Sequence, residues 1–136
     1  MSHTGLFVAL LFSAVLFAIP ARAEEKTGGE RCFEMRTYYA APGKMEALHA
    51  RFRDHTNKLF VKHGMTLIGY WTPADKPEVL VYILAYPSKE ARESSWKNFI
   101  ADEDWKKAKA NSEVNGKLVD KIESVFMKPT DYSPIK

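Results

Sequence analysis

Three polar side chains, Glu34, Arg36 and Tyr38, alternate with other residues in a stretch that has the pattern of a β-strand. Alternate residues of a strand lie on the same face, so the three can contact each other or a common ligand. One interpretation is an active site in which Glu34 accepts a proton and Arg36 holds an anionic substrate. The other interpretation, which we favour, is an ion pair that links two subunits, because buried charges must be paired.

Aromatic side chains further along the chain are candidates for a ligand pocket, because small-molecule sites are mostly apolar with a few polar groups. The predicted pocket residues are His63, Tyr70, Trp71, Tyr82, Trp96 and Trp105. Tyrosine and tryptophan are equally suited to a hydrophobic core or a dimer interface, which is the alternative interpretation. Both roles are compatible with the sequence.

Several classes of site are not indicated. His49, His55 and His63 share one predicted helix but lack the i, i+4 spacing of a zinc helix, so we expect no metal site. The sequence has neither a glycine-rich phosphate loop nor a local hydrolase motif. We expect no cofactor, and haem bound through His63 is the alternative. The net charge of +3 comes from interspersed acidic and basic residues, which does not indicate nucleic-acid binding.

The first residues have the pattern of a signal peptide. An uncharged apolar run over 6–19 precedes Ala21-Arg22-Ala23, the small-x-small motif that signal peptidases cleave. The run is shorter than the ~20 residues needed to cross a bilayer. We therefore predict a signal peptide over 1–23, a flexible leader over 24–30 and export to the periplasm or the extracellular space. Membrane association is not expected after cleavage, and an uncleaved anchor is the alternative.

Residues 31–136 are predicted to form one domain, because a chain of 136 residues is too short for two ordinary domains. Periodicity and turn residues predict strands over 32–39, 65–72, 79–86 and 118–128, a helix over 44–63, and helical segments from Ser88 to about residue 110, with Asp102 able to begin a second one. The pattern leaves open whether this last region is one bent helix or two. The order predicts an α+β ferredoxin-like fold, with a four-stranded antiparallel sheet and both helical regions on one face.

The first strand is predicted to turn its more apolar face towards the helices. The residues of that face are Phe33, Met35, Thr37 and Tyr39. The strand over 79–86 is apolar on both faces, and such strands are normally buried on both. Helices on one side cannot cover the second face, so we predict a homodimer in which two sheets pack face to face. The face with Glu34 would then point into the barrel between the subunits.

Short motifs occur in a fixed order along the predicted domain. They are Phe33-Glu34-Met35-Arg36-Thr37-Tyr38, Pro42-Gly43-Lys44, His63-Gly64, Gly69-Tyr70-Trp71, Ala85-Tyr86, Asp104-Trp105 and Pro129-Thr130-Asp131-Tyr132-Ser133-Pro134. From about Arg31 to the C-terminus, this ordered set resembles the NIPSNAP family. The resemblance implies a dimeric α/β-barrel fold, which small monooxygenases, haem-degrading enzymes and isomerases also use, in a family whose members mostly lack an established chemistry.

A shared fold does not by itself indicate a shared reaction. The leading hypothesis is an exported homodimer that binds a small apolar or aromatic ligand and has no assigned reaction. The first alternative is a monooxygenase, a haem-binding or haem-degrading enzyme, or an isomerase of the same superfamily. The second is a membrane- or protein-interaction module. It is suggested by the resemblance, through the role that relatives in organelles are thought to have, and by the lysine-rich stretch over 97–109. The sequence leaves open whether the protein is an enzyme.

Overall fold

A computed structural model of the protein describes residues 30–136. Its elements are β1 (Cys32–Ala40), α1 (Met45–Arg51), a π-helical segment (Phe52–Thr56), α2 (Asn57–Lys62), β2 (Thr66–Trp71), β3 (Val79–Tyr86), α3 (Lys89–Ala101), α4 (Glu103–Ser112) and β4 (Val119–Met127). The predicted order of strands and helices is confirmed. The predicted signal peptide and almost all of the predicted leader lie outside the described residues. Within 30–136, no helix is long and apolar enough to cross a membrane.

The four strands form one antiparallel sheet in the order β2-β3-β1-β4. The inner strand β1 pairs with both β3 and β4, so Glu34 lies opposite Leu84 on one side and Phe126 on the other. The helices pack on one face of this sheet. The arrangement is the predicted ferredoxin-like α+β fold.

The first helical region is continuous but irregular. Between α1 and α2, the backbone forms hydrogen bonds of the π type, which accommodate one extra residue. The Thr56 hydroxyl donates to the carbonyl of Arg51 at 3.2 Å inside this segment. As a result, the face of this helical region that points towards the sheet stays buried through the irregular turn. Its buried residues there are Arg51, Phe52, Thr56 and Phe60. The helix ends as predicted at Gly64, which adopts a φ of 80°.

Two capping residues begin the helices of the second half, as predicted. The Ser88 hydroxyl accepts the backbone N–H of Ala91 at 3.1 Å. Asp102 Oδ1 accepts the backbone N–H of Asp104 at 2.8 Å. The backbone of Asp102 is extended, with φ −66° and ψ 126°, and therefore interrupts the helix. The second helical region consists of two helices, α3 and α4.

The predicted orientation of β1 is wrong. The face with Glu34 and Tyr38 lies beneath the helices, and the face with Phe33 lies on the open side of the sheet. Tyr38 is part of the buried core. The fully buried Glu34 carboxylate accepts hydrogen bonds from Arg92 of α3. The ion pair between Glu34 and Arg36 therefore lies inside one chain and does not link two subunits.

An aromatic core fills the space between the sheet and the helices. Tyr82 of β3 is fully buried at its centre. Its ring centroid lies 5.2 Å from those of Tyr38 and Phe52, 5.3 Å from that of Tyr70 and 6.1 Å from that of Phe60. These separations are typical of favourable ring contacts. The core positions the neighbouring side chains of β1 against the helices.

The open face of the sheet is apolar, and the C-terminal segment covers one end of it. Phe33 is buried there, in a groove that it lines with Ile83 and Ile135. At the other end, Trp71 is 54% exposed. Its ring lies so close over Gly69 that a Cβ at that position would come within 2.5 Å of it, so a larger residue there would displace the ring. Much of this face is therefore in contact with solvent in a single chain.

Candidate functional site

A buried carboxylate forms one side of the candidate site. Glu34 Oε1 accepts hydrogen bonds from Arg36 Nη1 (2.7 Å), Arg92 Nη2 (2.9 Å) and Ser124 Oγ (2.6 Å), and Oε2 accepts them from Tyr86 OH (2.8 Å) and Arg92 Nε (3.0 Å). Burial alone would raise the pKa of Glu34, but the hydrogen bonds outweigh it and lower the pKa to about 2. At neutral pH the carboxylate is therefore charged, and hydrogen-bond donors occupy both of its oxygens, which does not suit a proton acceptor.

Arg36 connects this carboxylate to the aromatic core. Its Nε donates to the Tyr82 hydroxyl at 3.0 Å, and its guanidinium carbon lies 4.3 Å from the centre of the Trp96 ring. Trp96 in turn donates its Nε1–H to the Tyr86 hydroxyl at 2.8 Å. The cation–π contact and the hydrogen bonds fix Arg36 in place.

A cavity of about 410 Å³ lies between the sheet and the helices, and we call it the helix–sheet cavity. Its aromatic lining residues are Tyr38, Phe52, Phe60, Trp96, Phe99 and Trp105. Its cationic lining residues are Arg36, Arg51, Lys106 and Lys109, and Thr56, Ile100 and Ile122 complete the lining. No carboxylate or imidazole is among these described lining residues. The exposed side chains of Ile100 and Ile122 lie where the cavity opens to solvent.

The cavity contains some of the predicted site residues but not all of them. Arg36 and Tyr38 line it together with Trp96 and Trp105. Glu34 lies behind Arg36. Tyr82 is fully buried and does not line the cavity. The predicted pocket residues are therefore only partly brought together.

Tyr70 and Trp71 lie at a separate groove of about 290 Å³, which they line with His49 and Asn57. The Tyr70 hydroxyl donates to Asn57 Oδ1 at 2.7 Å, and burial raises the pKa of this phenol. The ring of Phe52 lines both this groove and the helix–sheet cavity. The two sites therefore have Phe52 in common, and the predicted pocket residues are divided between them.

His63 lies at the end of α2, outside the helix–sheet cavity. Its Nε2 is 2.7 Å from Asp102 Oδ2, and Lys62 Nζ contacts the same oxygen at 2.7 Å. Because His63 does not line the cavity, it is not placed to be the axial ligand of a haem bound there. Across residues 30–136, no group of three or more His, Cys, Asp or Glu side chains is placed to hold a metal ion.

Sequence reasoning missed the residues that complete the site, namely Arg51, Thr56, Arg92 and Ser124. Arg51 could have been noticed, because it follows Leu48 by three residues on the apolar stripe of the helix, where a charge is unusual. Arg92 lies four residues before Trp96, which places both on one face of α3. Nothing in the pattern of β4 singles out Ser124.

Comparison with solved structures found similar folds in NIPSNAP family proteins. One such protein of unknown function from Agrobacterium tumefaciens is 25% identical, with a TM-score of 0.69 over 79% of this chain and 95% of that chain. Another from the same organism is 23% identical, with a TM-score of 0.70 over 79% of this chain and 100% of that chain. Comparison with curated protein sequences found no match.

Proteins outside this family share the fold as well. A putative antibiotic biosynthesis monooxygenase from Nitrosomonas europaea is 12% identical, with a TM-score of 0.57 over 78% of this chain and 96% of that chain. At this identity the likeness concerns the fold alone. The NIPSNAP family model matches residues 33–134, which is most of the chain and includes every strand of the sheet almost completely. The chain therefore belongs to the NIPSNAP family.

Proposed function

We propose that the protein binds a small apolar or aromatic ligand in the helix–sheet cavity. The observation that carries the proposal is the lining, in which six aromatic side chains surround about 410 Å³. Ligand sites commonly have volumes of roughly 300–1,000 Å³ and are lined mainly by apolar and aromatic side chains. A bound ring would be buried against Trp96 and Trp105.

Binding without an assigned reaction is favoured over catalysis. General acid–base catalysis most often uses imidazole or carboxylate groups, and the described lining of the cavity has neither. Glu34 has no unoccupied acceptor position and lies behind Arg36. An enzymatic function is the alternative, and it is supported by the fold shared with proteins described as putative antibiotic biosynthesis monooxygenases. In that alternative, two of the three predicted catalytic residues, Arg36 and Tyr38, would contact the substrate, because both line the cavity.

Blocking the cavity tests the proposal. Ile122 of β4 lies opposite Tyr38, on the face towards the helices, and is 47% exposed. A tryptophan at this position would fill the mouth of the cavity while leaving the buried core unchanged. N-phenyl-1-naphthylamine is a neutral aromatic probe whose fluorescence increases in apolar sites. We expect it to bind the wild-type protein and to lose affinity by about tenfold or more, which is ~1.4 kcal/mol, in Ile122→Trp.

The control is Val61→Trp, which adds the same ring at an exposed position of α2 outside the cavity. This variant is expected to bind the probe as the wild-type protein does. The same affinity in both variants, or no binding by the wild-type protein, would contradict the proposal.

We also propose that a second copy of the chain covers the open face of the sheet. Met35, Val81 and Ile83 are only partly buried on this face, and Val125 is exposed. Apolar patches of this kind on a soluble chain commonly mark an interface. A face-to-face homodimer would bury this patch.

A further inference from the structure

One buried cation in the helix–sheet cavity does not use all of its hydrogen-bond donors. Arg51 is only 5% exposed. Its Nη1 donates to Ser112 Oγ at 3.2 Å and to Glu113 Oε1 at 3.0 Å. Its Nε is buried and has no acceptor among residues 30–136. A buried donor on a charged group destabilises the protein when it has no partner, so this atom points to a missing acceptor.

The charges around Arg51 do not balance. Glu113 is shared between Arg51 and Lys109, whose Nζ lies 3.5 Å from Glu113 Oε2. The other lysine of the lining, Lys106, already pairs with Glu103 at 2.6 Å. This end of the cavity therefore has one positive charge in excess.

The second arginine of the cavity, Arg36, is less available to a ligand. Arg36 donates to the Glu34 carboxylate and to the Tyr82 hydroxyl, and Trp96 covers a face of its guanidinium. Its charge is compensated by the fully buried Glu34 carboxylate, and Arg92, which shares that carboxylate, also pairs with Glu93. An anionic group that entered the cavity would therefore gain more from Arg51 than from Arg36.

We propose that the ligand of the helix–sheet cavity is a small aromatic monocarboxylate, whose carboxylate pairs with Arg51 and whose ring packs against Trp96 and Trp105. The inference rests on the proposed function, because it names the class of ligand for the same cavity. The planar guanidinium suits a carboxylate, which it can bind through two parallel hydrogen bonds. A single excess positive charge matches a monoanion.

The position of the Arg51 head makes this contact possible with a small movement. The guanidinium lies over the ring of Trp105, with its central carbon 5.2 Å from the ring centroid. Because Nε has almost no contact with solvent, the head must shift towards the cavity as the carboxylate enters. The partly buried Glu113 keeps Lys109 as a partner during such a shift.

Two probes of the same shape test the inference. The anion 1-naphthaleneacetate and the neutral 1-naphthaleneacetamide have the same ring and differ in charge. Their affinities are measured by titration calorimetry at pH 7. We expect the wild-type protein to bind the carboxylate about tenfold more tightly than the amide. Arg51→Met is expected to remove this preference and to retain binding of the amide, and Arg51→Lys is expected to keep part of the preference.

The matched control is Arg53→Met, which removes an arginine two residues further along the same helical region. Arg53 is 66% exposed, and its contact with Glu46 at 3.8 Å is on the surface. This variant is expected to prefer the carboxylate as strongly as the wild-type protein does.

The outcomes separate the two proposals. Equal binding of carboxylate and amide by the wild-type protein overturns the carboxylate inference and leaves ligand binding intact. Binding of N-phenyl-1-naphthylamine without binding of either naphthyl probe overturns it as well. Absence of binding by all three probes overturns the proposed function and the inference together. The wild-type comparison requires no variant, so it decides the question even if Arg51→Met does not fold.

Discussion

Glutamine at position 34 would keep the shape of a buried side chain and remove its charge. The Glu34 carboxylate accepts five hydrogen bonds, three of them from Arg36 and Arg92. An amide is neutral and has only one acceptor oxygen, so the positive charges of Arg36 and Arg92 would no longer be fully neutralised. Removing one partner of a buried ion pair typically costs about 3–5 kcal/mol. This is a large part of the roughly 5–15 kcal/mol that stabilises an ordinary domain.

The pKa of Glu34 gives a second estimate of this magnitude. Burial acts to raise the pKa, but the hydrogen bonds, led by that from Arg92, lower it from 4.5 to about 2. One pKa unit corresponds to about 1.4 kcal/mol, so the lowered pKa contributes ~3 kcal/mol. Because the pKa is lower in the folded protein than in the unfolded chain, this contribution is present above about pH 4.5 and is lost as the pH falls towards 2.

Urea unfolding followed by tryptophan fluorescence measures both effects. At pH 7, the free energy of unfolding of Glu34→Gln is expected to be about 3 kcal/mol or more below that of the wild-type protein. The difference is expected to shrink as the pH is lowered from 5 towards 2, since only the wild-type carboxylate titrates. The control is Glu93→Gln, an exposed partner of Arg92 at 3.2 Å, which is expected to cost less than about 1 kcal/mol. A difference of less than ~1 kcal/mol at pH 7 for Glu34→Gln, or one that stays constant across this pH range, would refute the reasoning.

Two further predictions concern the dimer and a helix cap. Val125→Glu places a charge on the open face, so we expect light scattering to detect a monomer, whereas the exposed Val61→Glu on α2 should leave a dimer. A monomeric wild-type protein would contradict the proposed dimer. Ser88→Ala removes the cap of α3, and urea unfolding is expected to show a free energy of unfolding lowered by about 1 kcal/mol. The control Ser94→Ala, at an exposed position of the same helix, should not lower it. Equal stabilities of these two variants would show that the cap contributes nothing.

Local signals account for the part of the fold that the sequence predicts correctly. Ser88, Asp102 and Gly64 mark the ends of helices through hydrogen bonds or backbone angles that involve only their near neighbours. The orientation of β1 is a different kind of property. It depends on Arg92, which lies 58 residues after Glu34 and provides two of its hydrogen bonds. No pattern within the strand contains that information.

The candidate site was predictable in part, because the lining of the cavity includes the predicted residues Arg36, Tyr38, Trp96 and Trp105 but also Arg51, which was not predicted. Trp96 and Trp105 are predicted correctly because aromatic side chains are typical of a ligand pocket, and both line the cavity. Arg51 was not identified, because an arginine within a helix is normally treated as part of the solvated surface. Its burial depends on the packing of α4, which brings Ser112 and Glu113 against it. Contacts across this distance become visible only in the folded chain.

The π-helical segment is the point of the first helical region where the chain can lose one residue. Residues 53–55 are exposed, so many side chains would be tolerated there. Because a π-type turn holds one residue more than an α-helical turn, deleting one of them would let a regular α-helix form without rotating α2 relative to α1. Leu59 and Phe60 would then stay in the core. A deletion within α1 or α2 would instead rotate the residues that follow it by about 100°. Among relatives of this chain, a gap of one residue in the helical region should therefore fall in this segment.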